Sequence, residues 1–233
     1  MGTARSAHEA VLLPTGKVLV AGGSNGTELK SAELYDPATG NWTKTGNMLN
    51  GRSFFSLTLL NDGRVLAAGG YGRSGQALNT AEIYDPATGQ WSSTGKMRQA
   101  TSYQSATLLL NGSVLAAAGI DDRALNTAQL FNPTTGKWTL TTPLNTARWR
   151  FSAVLANGQV VVTGGEDQNG KHPRSWESYD PDTAAWTTGT MKEVHFDHTE
   201  TLLSDGSILV AGGTKPGVSK AEVGTLAAPG QTR

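Results

Sequence analysis

The stretch Ala81-Glu82-Ile83-Tyr84-Asp85-Pro86-Ala87-Thr88-Gly89-Gln90-Trp91 occurs almost letter for letter a second time, as Ala32-Glu33-Leu34-Tyr35-Asp36-Pro37-Ala38-Thr39-Gly40-Asn41-Trp42. Each copy is a short alternating run, a turn and a second short run, the pattern of two antiparallel strands joined by a hairpin. The turn chemistry agrees: Asp can bond the backbone two residues on, Pro sets φ at the leading position, and Gly supplies a positive φ. Working outward, Val20-Ala21-Gly22-Gly23, Ala67-Ala68-Gly69-Gly70, Ala117-Ala118-Gly119, Val162-Thr163-Gly164-Gly165 and Val210-Ala211-Gly212-Gly213 recur about every 47 residues. Trp42, Trp91, Trp138 and Trp186 keep the same pace, each seven residues after Tyr35, Tyr84, Phe131 or Tyr179. Four copies carry both markers, and a fifth carries only the first.

Within the second copy the alternation predicts strands over 54–60, 65–68, 80–84 and 90–93, here called A to D, with Asn61-Asp62-Gly63 closing A to B. A sheet of four short strands cannot bury both faces alone. Radial stacking of such sheets gives a β-propeller. The fold class is therefore all-β, a single domain of five four-stranded antiparallel blades with copies at about 5–51, 52–99, 100–146, 147–194 and 195–226, the last incomplete. Ala221-Glu222-Val223 begins a strand C there, but Gly224-Thr225 stands where Tyr-Asp would be and no Trp follows. A closed five-bladed ring is expected, against an arc that closes only by association.

The starts Arg5-Ser6-Ala7-His8 and Arg52-Ser53-Phe54-Phe55, the Gly-Gly, the Tyr-Asp-Pro and the Trp seven residues past the Tyr together resemble Kelch repeats. The resemblance spans about residues 5 to 223 and implies a propeller of the type of the galactose-oxidase central domain, used for protein or carbohydrate recognition. Tandem Asp-Pro-Ala-Thr-Gly repeats of this kind resemble those of bacterial surface proteins, which implies an exported or cell-surface setting. The start Met1–Arg5 itself has no hydrophobic signal core. Galactose oxidase uses a tyrosyl-cysteine copper cofactor, and a chain with no cysteine cannot form it.

Composition narrows the function classes further. The 233 residues hold 19 Lys+Arg and 19 Asp+Glu, so no net field draws a polyanion, and nucleic acid is not an expected partner. No apolar run reaches the length of a membrane span. Hydrolase elbow, phosphate-binding loop and His-Glu-x-x-His motifs are all missing from the sequence, and no cofactor or metal is expected.

An internal repeat separates scaffold from site without any alignment: what recurs in every blade serves the blade, and a single site arises where copies differ. On this ground Glu33, Glu82, Gln129, Glu177 and Glu222 are read as a recurring hydrogen bond to a neighbouring blade. The D–A and B–C connections share one face of the disc, and that face varies. Its candidates are Arg5, His8, Arg52, Phe55, Tyr71, Arg73, Tyr103, Asp121, Arg148, Trp149, Glu166, His195 and His198. Aromatic faces stack on sugars or apolar groups, and arginine forks hold carboxylates. Against this, Arg5, Arg52 and Arg148 recur by register and are equally read as pairing with an acidic loop of the next blade. His195 and His198, three apart on a strand, should point to opposite faces. His8 and His198 are equivalent and would be neighbours across a closed ring.

The reading preferred is a non-catalytic module that binds a protein or glycan on the D–A/B–C face, with self-association through the incomplete last blade. Two alternatives stand beside it. One is a cofactor-free sugar enzyme, similar to Kelch-type mutarotases or propeller lyases, using Arg52 or Arg148 with His195 or Glu166. The other is a propeller piece or engineered scaffold without its own ligand.

Overall fold

The computed structural model describes residues 1–213 and 220–225; the fifth B–C loop, Thr214-Lys215-Pro216-Gly217, lies outside the described residues. Among the described residues there are nineteen strands and no helix, hence no helix long and apolar enough to cross a membrane. The first blade is β1 (Glu9–Leu12), β2 (Val18–Ala21), β3 (Ala32–Asp36) and β4 (Asn41–Lys44). The second is β5 (Ser56–Leu59), β6 (Val65–Ala68), β7 (Ala81–Asp85) and β8 (Gln90–Ser93). The third is β9 (Ser105–Leu108), β10 (Val114–Ala117), β11 (Ala128–Asn132) and β12 (Lys137–Thr141). The fourth is β13 (Ser152–Ala156), β14 (Gln159–Thr163), β15 (Ser175–Asp180) and β16 (Ala185–Thr190). The fifth has three described strands, β17 (Thr199–Leu202), β18 (Ile208–Ala211) and β19 (Ala221–Gly224). Each sheet is an antiparallel meander in chain order, and the five form a β-propeller.

The hairpin turns follow from their side chains. Asp36, Asp85, Asn132 and Asp180 each accept a hydrogen bond from the backbone N–H two residues on, at 2.9–3.0 Å. The repeated aromatics fill the seams between blades. Tyr84 and Trp91, with ring centroids 5.1 Å apart, bury against Leu19, Ala21 and Met48 of the first blade. Phe131 and Trp138 do the same against the second blade, and Tyr179 and Trp186 against the third.

The Gly-Gly pair is the joint between blades. Gly70 N–H donates to the Thr101 carbonyl of the next blade at 2.8 Å, and a Cβ on Gly69 would lie 2.5 Å from that same oxygen. Backbone contact this close leaves no room for a side chain. At Gly212, by contrast, a Cβ would meet nothing within 4 Å among the described residues.

The innermost strands touch in succession, β1 to β5, β9, β13 and β17, but among the described residues no comparable contact joins β17 back to β1. The expected closed ring is accordingly not seen. Leu12 is 61% exposed and Leu202 is 40% exposed, whereas their equivalents Leu59, Leu108 and Leu155 are partly buried between blades. His8 and His198 are not brought together: His198 faces the fourth blade, with its Nε2 2.8 Å from the Thr163 hydroxyl.

Candidate functional site

Three of the arginines expected on the binding face are enclosed. The Arg5, Arg52 and Arg148 side chains have 0% exposure and form ion pairs of 2.6–2.8 Å with Glu33, Glu82 and Glu177 of strand C in their own blades, not with an acidic loop of the next. Arg52 also donates to the carbonyls of Gly69 and Thr80, so one guanidinium ties together the start of strand A and both ends of the B–C loop. Glu82 accepts from the backbone N–H groups of Leu49 and Asn50, on the connection arriving from the first blade. Glu177 and Glu222 hold Asn145 and Thr146, and Lys192 and Glu193, in the same way. Burial pulls the Arg52 and Arg148 pKa values down, opposed by the carboxylate beside each.

The third blade shows that the pair is a unit. There Thr101 replaces the arginine and Gln129 replaces the glutamate, and the Gln129 Oε1 still accepts from Arg98 and Gln99 N–H. A carboxylate left without its guanidinium would be a buried unpaired charge, and both partners change together. In the fifth blade His195 takes the arginine position, fully buried, with Nδ1 2.6 Å from the Gly212 carbonyl and Nε2 3.1 Å from Glu222.

Two positions past each of these residues the backbone turns left-handed. Ala7, Phe54, Tyr103, Arg150 and Asp197 all have φ between 50° and 54°. Such a conformation costs a non-glycine residue about 1 kcal/mol or more. It recurs because it links the blades: Phe54 N–H donates to the Ala7 carbonyl, Tyr103 N–H to Phe54 and Asp197 N–H to Arg150, at 2.9–3.1 Å. The backbone of this position is therefore scaffold, while its side chain differs in every blade.

Those side chains meet. Phe54 stacks on Tyr103 with centroids 4.1 Å apart, and Tyr71 from the second B–C loop stands edge-on to both rings at 6.4 and 6.3 Å. Trp149 abuts Tyr103 edge-on at 5.2 Å. The Arg150 guanidinium lies 4.3 Å from the Trp149 ring and 3.4 Å from the Asp197 carboxylate. Beyond it, Phe196 and His172 stack in parallel at 3.8 Å. Phe54, Tyr71, Tyr103 and Trp149 thus form a continuous arc of partly exposed aromatics ending in the Arg150 cation, with Phe54 37% exposed and the Phe196–His172 stack as a separate pair. Burial raises the Tyr103 pKa, opposed by Arg150.

Of the residues singled out in the sequence, Tyr71, Tyr103 and Trp149 thus belong to one arc. Glu166 borders it through the backbone pairing of its strand end with Trp149. Arg73 bridges two loops by donating to the Glu28 carbonyl, and Asp121 sits on the third B–C loop, 3.4 Å from the Gln99 amide. His8 is half-buried beside Gly23. Phe55 is 3% exposed and packs in the seam between the first two blades, whereas Phe54 takes the surface position. Phe54, Arg150, Asp197, His172 and Phe196 are the additions that the structure makes to the candidate set.

One break in alternation explains both results. A residue with positive φ turns the chain over, so residues on either side of it no longer alternate as on a strand. For the same reason the His195 and His198 rings, with Asp197 between them, are only 5.6 Å apart and not on opposite faces. Among the described residues no group of three or more His, Asp and Glu side chains is arranged to hold a metal ion.

A family model described as the KLHDC2/KLHL20/DRC7 Kelch-repeats domain matches residues 2–165. Among solved structures, one titled "Structure of YjhT" superposes with a TM-score of 0.76 at 17% identity, covering 97% of this chain and 82% of that one. The likeness at that identity is one of fold. Comparison with curated proteins finds no match.

Proposed function

Since the chain belongs to the Kelch-repeat family, we propose that it is a non-catalytic recognition module that holds a protein partner on the aromatic arc of its D–A/B–C face. The observation that carries this reading is the left-handed position itself. All five blades keep its backbone, and no two keep its side chain: Ala7, Phe54, Tyr103, Arg150 and Asp197. Strained positions are retained where the surroundings over-determine them, and loops on a rigid scaffold carry recognition. Aromatic and arginine anchors at the centre of a surface supply most of the energy of a protein contact.

The arc suits a segment that offers an apolar or planar group to Phe54, Tyr103 and Trp149 and an acidic group to Arg150. A glycan with a carboxylate meets the same description less fully, because the stacked Phe54–Tyr103 pair presents little hydrogen-bonding capacity. The sugar-enzyme alternative has less support, because the Arg52, Arg148 and His195 side chains are enclosed and only Glu166 of its four residues stays partly exposed. The reading extends to self-association through the incomplete last blade, supported by the exposed β19, where Val223 is 59% exposed.

The test is selection of a displayed random-peptide library, in parallel with a glycan array, against the wild type and the triple variant Phe54→Ser/Tyr103→Ser/Arg150→Ser. Enrichment of acidic, aromatic-containing peptides that the variant fails to retain is expected, with at least a tenfold loss of affinity and an unchanged unfolding midpoint. Peptides that bind both proteins equally, or hits confined to the glycan array, would overturn it.

A further inference from the structure

The seam between the fourth and fifth blades departs from the other seams at every position that matters. On the facing surfaces of the first three blades the paired positions are Ala21 and Ala32, Ala68 and Ala81, and Ala117 and Ala128; in the fourth they are Thr163 and Trp176, directly opposite across β14 and β15. The next position outward is Thr45, Thr94 or Thr141 in the first three blades. In the fourth it is Gly189, where a Cβ would run into the Trp176 ring. Across the seam, the second and fourth blades insert Tyr84 and Tyr179, each with its hydroxyl 2.8 Å from the preceding blade's Thr45 or Thr141, and the third inserts Phe131. The fifth blade has Gly224 at that register, paired with Ile208 as Tyr179 is with Val160. A Cβ on Gly224 would meet nothing within 4 Å among the described residues.

Among the described residues, the space that a ring fills in the other seams is thus an open cavity of about 200 Å³ here, lined mostly by Val161, Trp176, Met191, Ile208 and Val210, with Lys192 and Glu222 also on its wall. At one end stands the Thr163 hydroxyl, 2.8 Å from His198 Nε2 and 3.1 Å from the Glu200 carboxyl. The buried Glu200 Oε1 and His198 Nδ1 have no protein partner among the described residues. We propose that this slot is a binding site for a small uncharged aromatic molecule, a phenol-sized ring that takes the place of the tyrosine present in the neighbouring seams. An apolar cavity of about 150 Å³ is already enough to hold benzene, and the Thr163 hydroxyl, which lines this one, is placed to hydrogen-bond one ring substituent. Burial pushes the Glu200 carboxyl, which lies behind Thr163, up to about 8, so that group favours its uncharged form at neutral pH. The site is separate from the aromatic arc and independent of what binds there.

Phenol is the probe, titrated into the full chain with NMR observation of methyl and indole signals, and with N-acetyltyrosinamide as a second arm. Saturable shifts are expected at Val161, Ile208 and Val210 methyls and at the Trp176 indole, with ring-to-methyl NOEs. Gly224→Tyr, which supplies the ring from within, is expected to weaken phenol binding at least tenfold. Val161→Phe, which narrows the slot from the opposite wall, serves if that variant does not fold. Shifts confined to Phe54, Tyr103 or Trp149, undiminished binding in the variants, binding of N-acetyltyrosinamide without phenol, or no saturable shift at all would overturn the proposal.

Discussion

Arg52 and Glu82 sit sealed from solvent, so the contact between them is decisive only in the negative: removing one partner leaves a charge buried alone, at a cost of about 3–5 kcal/mol. The third blade supplies the matching repair, since Thr101 and Gln129 hold the same positions without charge. Arg52→Thr is expected to lower the unfolding free energy by that amount, and the double variant Arg52→Thr/Glu82→Gln to recover at least half of it; chemical denaturation of the four members of the cycle measures this. The recurrence of Glu33 and its equivalents as scaffold was legible from sequence. That Arg5, Arg52 and Arg148 were their partners was not, because strand starts 28 to 30 residues away in the chain become neighbours only when the meander is built. Glu200 carries a pH signature of its own. Unfolded, it titrates near 4.5; folded, burial moves it to about 8, so its contribution is complete in acid and is lost as pH rises to about 8. His198 runs the other way: burial lowers it from 6.5 to about 4, and its contribution is lost only as pH falls below 6.5. Glu9, raised from 4.5 to about 7 by burial, adds to the loss only up to about pH 7. Between pH 6.5 and 8 the protein should therefore lose stability, with up to about 1.4 kcal/mol per pH unit from Glu200. Glu200→Gln should flatten that slope in thermal unfolding followed across the window, and an unchanged slope would rule Glu200 out as its source.

At the scale of the element, blades are joined by backbone contact at the Gly-Gly pair, which makes two chemically identical substitutions unequal. Gly69→Ala and Gly212→Ala both place a Cβ on a left-handed residue, with φ of 63° and 89°. That strain alone costs about 1 kcal/mol. At position 69 the new Cβ also meets the Thr101 carbonyl at 2.5 Å, while at 212 it meets nothing among the described residues. Gly69→Ala is expected to be the more destabilising by at least about 2 kcal/mol in urea unfolding; equal losses would show that the joint is looser than drawn. Strand B, strand D and the hairpin turns lie where alternation and turn residues placed them, β6 and β8 matching 65–68 and 90–93. Strand A is shorter than the alternation suggested. It begins at Ser56 because Phe54 is left-handed, and that is why Phe55 went inside and Phe54 outside.

At the scale of the molecule, stacked repeats depend on their neighbours, and terminal repeats with one face uncovered are the weak points. The side of the disc between the first and fifth blades leaves Leu12 and Val223 exposed and β19 with no partner on its outer edge among the described residues. An unpaired strand edge beside apolar surface favours association. Sedimentation velocity over rising concentration is expected to show reversible self-association that Leu12→Lys with Val223→Lys reduces; a concentration-independent monomer would remove this surface from the account.

The sequence by itself determined the blade, its length, the number of copies and the aromatic packing of the seams, because each rests on short-range periodicity and on residues that recur. Tertiary structure alone decided which variable side chains share a surface, that the arginines turn inward, and that the last seam stays open among the described residues. Those outcomes depend on a left-handed residue that inverts the alternation and on contacts between segments far apart in the chain, and neither leaves a periodic trace in the order of the residues.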